Sequence, residues 1–94
     1  MLSGKQRRYL RSLAVSLKPV VRIGKEGLNA NVIASCMTSL EAHELVKVSV
    51  LKNCEDPFKA IAFDLAATTN SEIVQMIGKV VVLYKQSKKK VISL

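Results

Sequence analysis

Apolar positions along the chain recur at helical spacing in some stretches and alternate in others. Leu10, Leu13, Ala14 and Leu17 lie on one helical stripe, and Ser3 stands where a cap is needed, so a first helix is predicted as far as about Leu17. Leu2 or Tyr9 extends the stripe, while Lys5, Arg8 and Arg11 recur three residues apart and give the same helix a basic flank. Pro19 stops the helix and Val20–Ile23 reads as a short strand. Gly24-Lys25-Glu26-Gly27 is a tight turn, and Asn29 caps a second helix from Ala30 to about Ala42 with Val32, Ile33, Cys36, Met37 and Leu40 inward. Leu45–Leu51 alternates as a strand, with Val46, Val48 and Val50 on one side and Lys47 and Ser49 on the other.

Beyond the polar loop Lys52–Asp56, Asp56 followed by Pro57 reads as the cap and first position of a third helix running to about Ala67, with Phe58, Ile61 and Leu65 inward. Ser71 is expected to cap a short further helix to Ile77, closed by Gly78. Val80–Lys85 is apolar enough for a central strand, Gln86–Lys90 is a charged turn, and Val91–Leu94 is expected as a last edge strand. With that short helix counted as an appendage of the third, the order is αβαβαββ. It predicts a two-layer α/β domain with a mixed four-stranded sheet, in which crossover helices share one face and a final antiparallel hairpin completes the sheet. Residues 1–94 are expected as a single domain, since this length supports one modest core.

Composition narrows the class. The chain is 49% hydrophobic with few glycines and prolines, which excludes collagen-like and disordered readings. Its longest apolar run, Val80–Tyr84, falls far short of the ~18–20 residues of a membrane span. Neither a secretory signal nor an anchor is legible, so a cytoplasmic location is expected. The net charge of +8 is unevenly spread. Residues 1–25 hold seven basic side chains and residues 79–94 hold five, neither segment with an acid, whereas all seven acids fall between them. If the two ends meet in the fold they form one basic surface suited to a polyanion, nucleic acid before an anionic membrane or an acidic protein.

The inventory for catalysis is poor. His43, the only histidine, has no second histidine at zinc-protease spacing, and no serine sits in a nucleophile elbow. Cys36 and Cys54 form no CxxC pair, and Cys36 lies on a predicted apolar stripe. No enzyme activity, metal, cofactor or small-molecule substrate is expected.

Gly24-Lys25-Glu26-Gly27 carries more information. It joins a strand to a helix whose first N–H groups are free to meet an anion, and two glycines let the backbone approach another chain closely. GxxG loops clamp a single-stranded RNA backbone in this way, although the same four residues also occur in ordinary turns. The motif has company. Leu17-Lys18-Pro19-Val20-Val21, Ile23 to Leu28, His43-Glu44-Leu45-Val46-Lys47-Val48, Val74-Gln75-Met76-Ile77-Gly78 and Val82-Leu83-Tyr84 follow in that order. Together they resemble the CRM domain, named for chloroplast RNA splicing and ribosome maturation, and more narrowly its bacterial stand-alone members.

The resemblance implies a fold similar to the C-terminal domain of translation initiation factor three with an added N-terminal helix. It also implies binding to ribosomal RNA in precursors of the large subunit. Val15, Asn29 and Lys85 depart from the histidine, threonine and arginine usual in the family; Asn29 still caps, while Val15 and Lys85 remove an imidazole and a guanidinium. The expected RNA surface is Lys5, Arg8 and Arg11 on the first helix, Lys18, Arg22, the loop residues Gly24, Lys25, Glu26 and Gly27, and Asn29, with the bend lying beside the first helix. Lys47, facing either solvent or RNA, and Lys88, Lys89 and Lys90 extend it. Tyr84 is expected to pack rather than stack on a base. A monomer is expected, and the rival reading is a basic adaptor for an acidic protein or an anionic membrane.

Overall fold

A computed structural model describes residues 2–94, ordered as α1 (Gly4–Ala14), β1 (Val21–Ile23), α2 (Ala30–His43), β2 (Leu45–Val50), α3 (Phe58–Thr69), β3 (Glu72–Ile77) and β4 (Val80–Tyr84). Ser3 and Gln6 form a reciprocal capping box at the head of α1, their side-chain oxygens each accepting the other's backbone N–H at 3.1 and 2.9 Å. The helix stops at Ala14 rather than Leu17, where the Leu17 N–H donates to the Ala14 carbonyl and the chain turns toward Pro19. Asn29 caps α2 as expected, its Oδ1 accepting the Val32 N–H at 2.9 Å. At α3 the cap position belongs to Pro57, with no side-chain bond, so Asp56 does not perform the capping expected of it.

The sheet is mixed and four-stranded, in the order β1-β2-β4-β3. β1 pairs parallel to β2, while β4 runs antiparallel to both β2 and β3. The element string αβαβαββ therefore holds, and Val80–Tyr84 is a central strand as expected, but its hairpin partner is not the expected 91–94. Residues 72–77 form a strand instead of a short helix. Asn70 ends α3 in the left-handed conformation (φ 56°), and the Ser71 N–H reaches back to the Ala66 carbonyl at 2.9 Å, so the chain leaves α3 decisively. Ile73, Val74 and Ile77 then favour extended chain, and six residues would make a marginal helix. Gly78 does not close a helix. With φ +57° it leads the two-residue turn between β3 and β4, the glycine-first pattern of tight hairpins. The segment 91–94 is irregular rather than an edge strand. Because β3 takes the outer place, β4 enters between β3 and β2 from the opposite direction to the one expected.

Two apolar clusters flank the sheet. Cys36 and Leu40 of α2 and Ile61, Ala62, Leu65 and Ala66 of α3 pack on Val46, Val48, Val50, Val81 and Leu83. On the other face Leu10 and Ala14 of α1 pack on Leu45, Val74, Val82 and Tyr84, with Ile92 of the C-terminal segment joining them. The crossover helices thus share a face, and α1 covers part of the opposite one. Met37 is exposed, contrary to expectation, because the buried line of α2 runs through Cys36 and Leu40, one turn apart, and Met37 lies to the side of it.

Candidate nucleic-acid interface

The bend Gly24–Gly27 is a one-bond turn, the Gly27 N–H donating to the Gly24 carbonyl at 3.0 Å. Lys25 and Glu26 at its corner are exposed. Gly27 adopts φ +64°, the conformation that favours glycine, and a Cβ there would stand 2.6 Å from Asp56 Oδ2, the movable end of an exposed side chain. Gly24 packs on Asn53 and Leu51, which sets the bend against the 51–56 loop. Asn29 Nδ2 donates to Glu26 Oε2 at 3.4 Å. Two carboxylates, Glu26 and Asp56, therefore border a turn whose only cation is Lys25.

The structure groups the expected residues by layer. Alternation along β1 turns Arg22 away from Val21 and Ile23, onto the face that also carries α1. Lys47 projects on that same face, its Nζ donating to the Leu17 carbonyl at 3.1 Å. Arg11 and Lys47 line one groove of about 340 Å³. Lys18 and Lys47, with His43, line a second of about 560 Å³, floored by Leu13, Leu45 and Ile92. The bend rests on the 51–56 loop, and α1 contacts β2 and β3.

Lys88, Lys89 and Lys90 do not adjoin the bend. They follow Ser87, which is tied to Glu44 at the start of β2, while the bend follows Ile23, which pairs with Val50 at the end of β2. Lys5 sits with Ser93 and Leu94, and Arg8 is exposed on α1. Arg7, absent from the expected surface, donates to the Ile73 carbonyl and fastens α1 to the edge strand. Tyr84 packs as expected. Burial, then the charges of Glu44 and Glu72, raise its pKa.

Sequence reasoning missed Glu44. It is fully buried at φ 67°, with Oε2 accepting the Ser87 N–H (2.6 Å) and Oγ–H (2.8 Å), and Oε1 accepting the Ile92 N–H (2.6 Å). Burial alone would raise its pKa, but these bonds outweigh it and hold the carboxyl below its usual value. The one available hint was spacing: a single residue between helix and strand forces an abrupt backbone turn there. The thiol of Cys36 is pushed up to about 11 by burial, so it stays protonated and inert at neutral pH. Among the described residues no three His, Cys, Asp or Glu side chains converge as a metal site.

A mixed sheet with two crossover helices on one face, an N-terminal helix on the other and a glycine-flanked bend leading into α2 defines a small α/β domain built around a GxxG turn. Residues 2–85 match the CRS1/YhbY (CRM) domain model, and the chain belongs to that family. It is 50% identical over 88 residues to a Bacillus subtilis protein named probable RNA-binding protein YqeI, covering 94% of this chain and 92% of that one. A Haemophilus influenzae protein named RNA-binding protein is 38% identical over 93 residues, covering 99% and 94%. The solution structure of a hypothetical Staphylococcus aureus protein superposes with a TM-score of 0.78 at 50% identity, covering 94% of this chain and 92% of that one.

Proposed function

We propose that this chain binds RNA through the Gly24–Gly27 bend, with Arg22, Lys25 and Asn29 at its margins and Arg11, Lys18 and Lys47 on the adjoining sheet face. Its cellular target in this reading is ribosomal RNA in precursors of the large subunit, met in the cytoplasm by a monomer that performs no catalysis. Family membership and the names of its relatives support the RNA-binding part. The ribosomal target comes from the family resemblance. The carrying observation is the exposed Lys25 corner at the head of α2, where free helix N–H groups and a mobile ammonium can meet a phosphate.

Binding isotherms at graded salt test the reading. Neutralising ~4–6 phosphates gives a slope of log K against log salt of roughly −3 to −5. Lys25→Glu is expected to weaken binding across RNA sequences at an unchanged melting temperature, because the side chain is exposed and unpacked. A salt-independent affinity refutes the reading, and so does an equal loss on changing Ala67→Glu, which is exposed near the far end of α3. Sedimentation with anionic vesicles in the absence of RNA would favour the membrane adaptor instead; no helix among the described residues is long and apolar enough to cross a bilayer.

A further inference from the structure

Strand register places Arg22, Ser49, Val80 and Ile77 in one row across the face that carries α1, reaching from edge strand β1 to edge strand β3. The next row holds Lys47, Val82 and Gln75. Because α1 stops at Ala14, it covers the second row incompletely and leaves the first open. The groove of about 340 Å³ lies here, between the last turn of α1 and the strands, and its lining contains two cations and no carboxylate.

Its apolar members stand in water. Val15 is 82% exposed and Ile77 is 62% exposed, with Val80 half-buried between the hairpin and β2. Single exposed aliphatic residues need no explanation, but these are contiguous, bracketed by Arg11 and Lys47, and continuous through Arg22 with the bend. The electrostatics also differ from those of the bend, where Glu26 and Asp56 sit close to any phosphate.

We propose that this groove is a second contact for RNA and seats an unpaired nucleotide. The ribose and one base face rest on Val15, Val80 and Ile77, and the phosphates meet Arg11, Lys47 and Arg22. Lys47 spends one of its three donors on the Leu17 carbonyl, which fixes its position and leaves two for the ligand. No aromatic side chain lines the groove, so the contact is aliphatic and tolerant of base identity. An acidic peptide could satisfy the same cations. Continuity with Arg22 and the bend favours a polymer that runs from one contact to the other. The inference rests on the RNA-binding reading above and assigns it a place on the sheet and a single-stranded occupant.

Anisotropy with an unpaired RNA oligonucleotide and a blunt RNA duplex of equal length tests it on the full chain. Val15→Glu and Ile77→Glu each set a carboxylate where the strand would lie and remove an apolar contact, so about a tenfold loss is expected on the unpaired RNA. Ala67→Glu, exposed on α3 in the opposite layer, makes the same change in net charge and should alter affinity less than about twofold. Melting temperatures establish that each variant is folded. Independently of any variant, the backbone amide signals of Ser49, Val80 and Ile77 should shift when the oligonucleotide is added to the wild-type chain.

If those amides stay still while the bend shifts, or if Val15→Glu matches Ala67→Glu, the groove assignment is overturned and RNA binding at the bend survives. Equal losses on the duplex overturn the unpaired occupant. Shifts produced by an oligoglutamate peptide but not by RNA mean a protein ligand and also overturn it. Failure of the wild-type chain to bind either RNA removes the parent reading itself.

Discussion

Glu44 shows how much one side chain can decide. It joins α2 to β2 without a loop, at a backbone angle that glycine would occupy more easily (φ 67°). Its carboxylate holds the chain from Ser87 to Ile92 against the start of β2, and Ile92 in turn packs beside α1. Glu44→Gln replaces one accepting oxygen with a donor facing N–H or O–H groups. A loss of about 1–3 kcal/mol is expected, the usual cost of a buried polar group left unpaired. The pH dependence follows from the depressed pKa. Unfolded, the group titrates near the ordinary glutamate value of 4.5; folded, it titrates lower. Its contribution is therefore complete above that value and is lost as the pH falls through the folded pKa. Denaturant midpoints of the wild type and Glu44→Gln, compared between about pH 7 and pH 3, should converge on the acid side, whereas a constant gap would contradict the assignment.

Elements with local signals were legible and those made by tertiary pairing were not. Asn29 announces α2 because an Asx side chain satisfies a free N–H wherever a helix begins. Asn29→Ala is expected to cost about 1 kcal/mol, or some 4–8 °C in melting temperature for a domain of this size, with Asn29→Ser restoring most of it. Lys25 and the bend were equally visible, since the glycine requirement is local. β3 was hidden. The irregularity between Ile73 and Gln75 leaves Val74 and Gln75 both on the face of α1, Val74 packed in its cluster and Gln75 opposite Val82, which breaks the alternation that identifies a strand. Residues 91–94 erred in the opposite sense: their β-branched start suggests a strand, but the partner they find is a carboxylate rather than an edge. The groove beside α1 could not be read at all, because Val15, Val80 and Ile77 become neighbours only once the helix stops at Ala14 and the hairpin folds beneath it.

At the scale of the whole molecule the charge belongs to one side. The layer of α2 and α3 carries a single lysine, Lys59, against Glu41 and Asp64, in a chain whose net charge is +8. Nearly all the excess therefore lies with α1, the sheet face beneath it, the bend and the C-terminal segment. The separation of Lys88–Lys90 from the bend means that this side is broad rather than a single cleft. Such an arrangement gives the molecule a large electric moment, directed out through the sheet face opposite α2 and α3. In the field of a polyanion the molecule is rotated before it touches anything, and fewer collisions are wasted on the wrong orientation. Reversing Arg8 or Lys89, which lie away from the bend, should then slow stopped-flow association severalfold at low salt and leave dissociation nearly unchanged. An effect confined to dissociation would show that those side chains grip the ligand directly, and that capture owes nothing to the lopsided field.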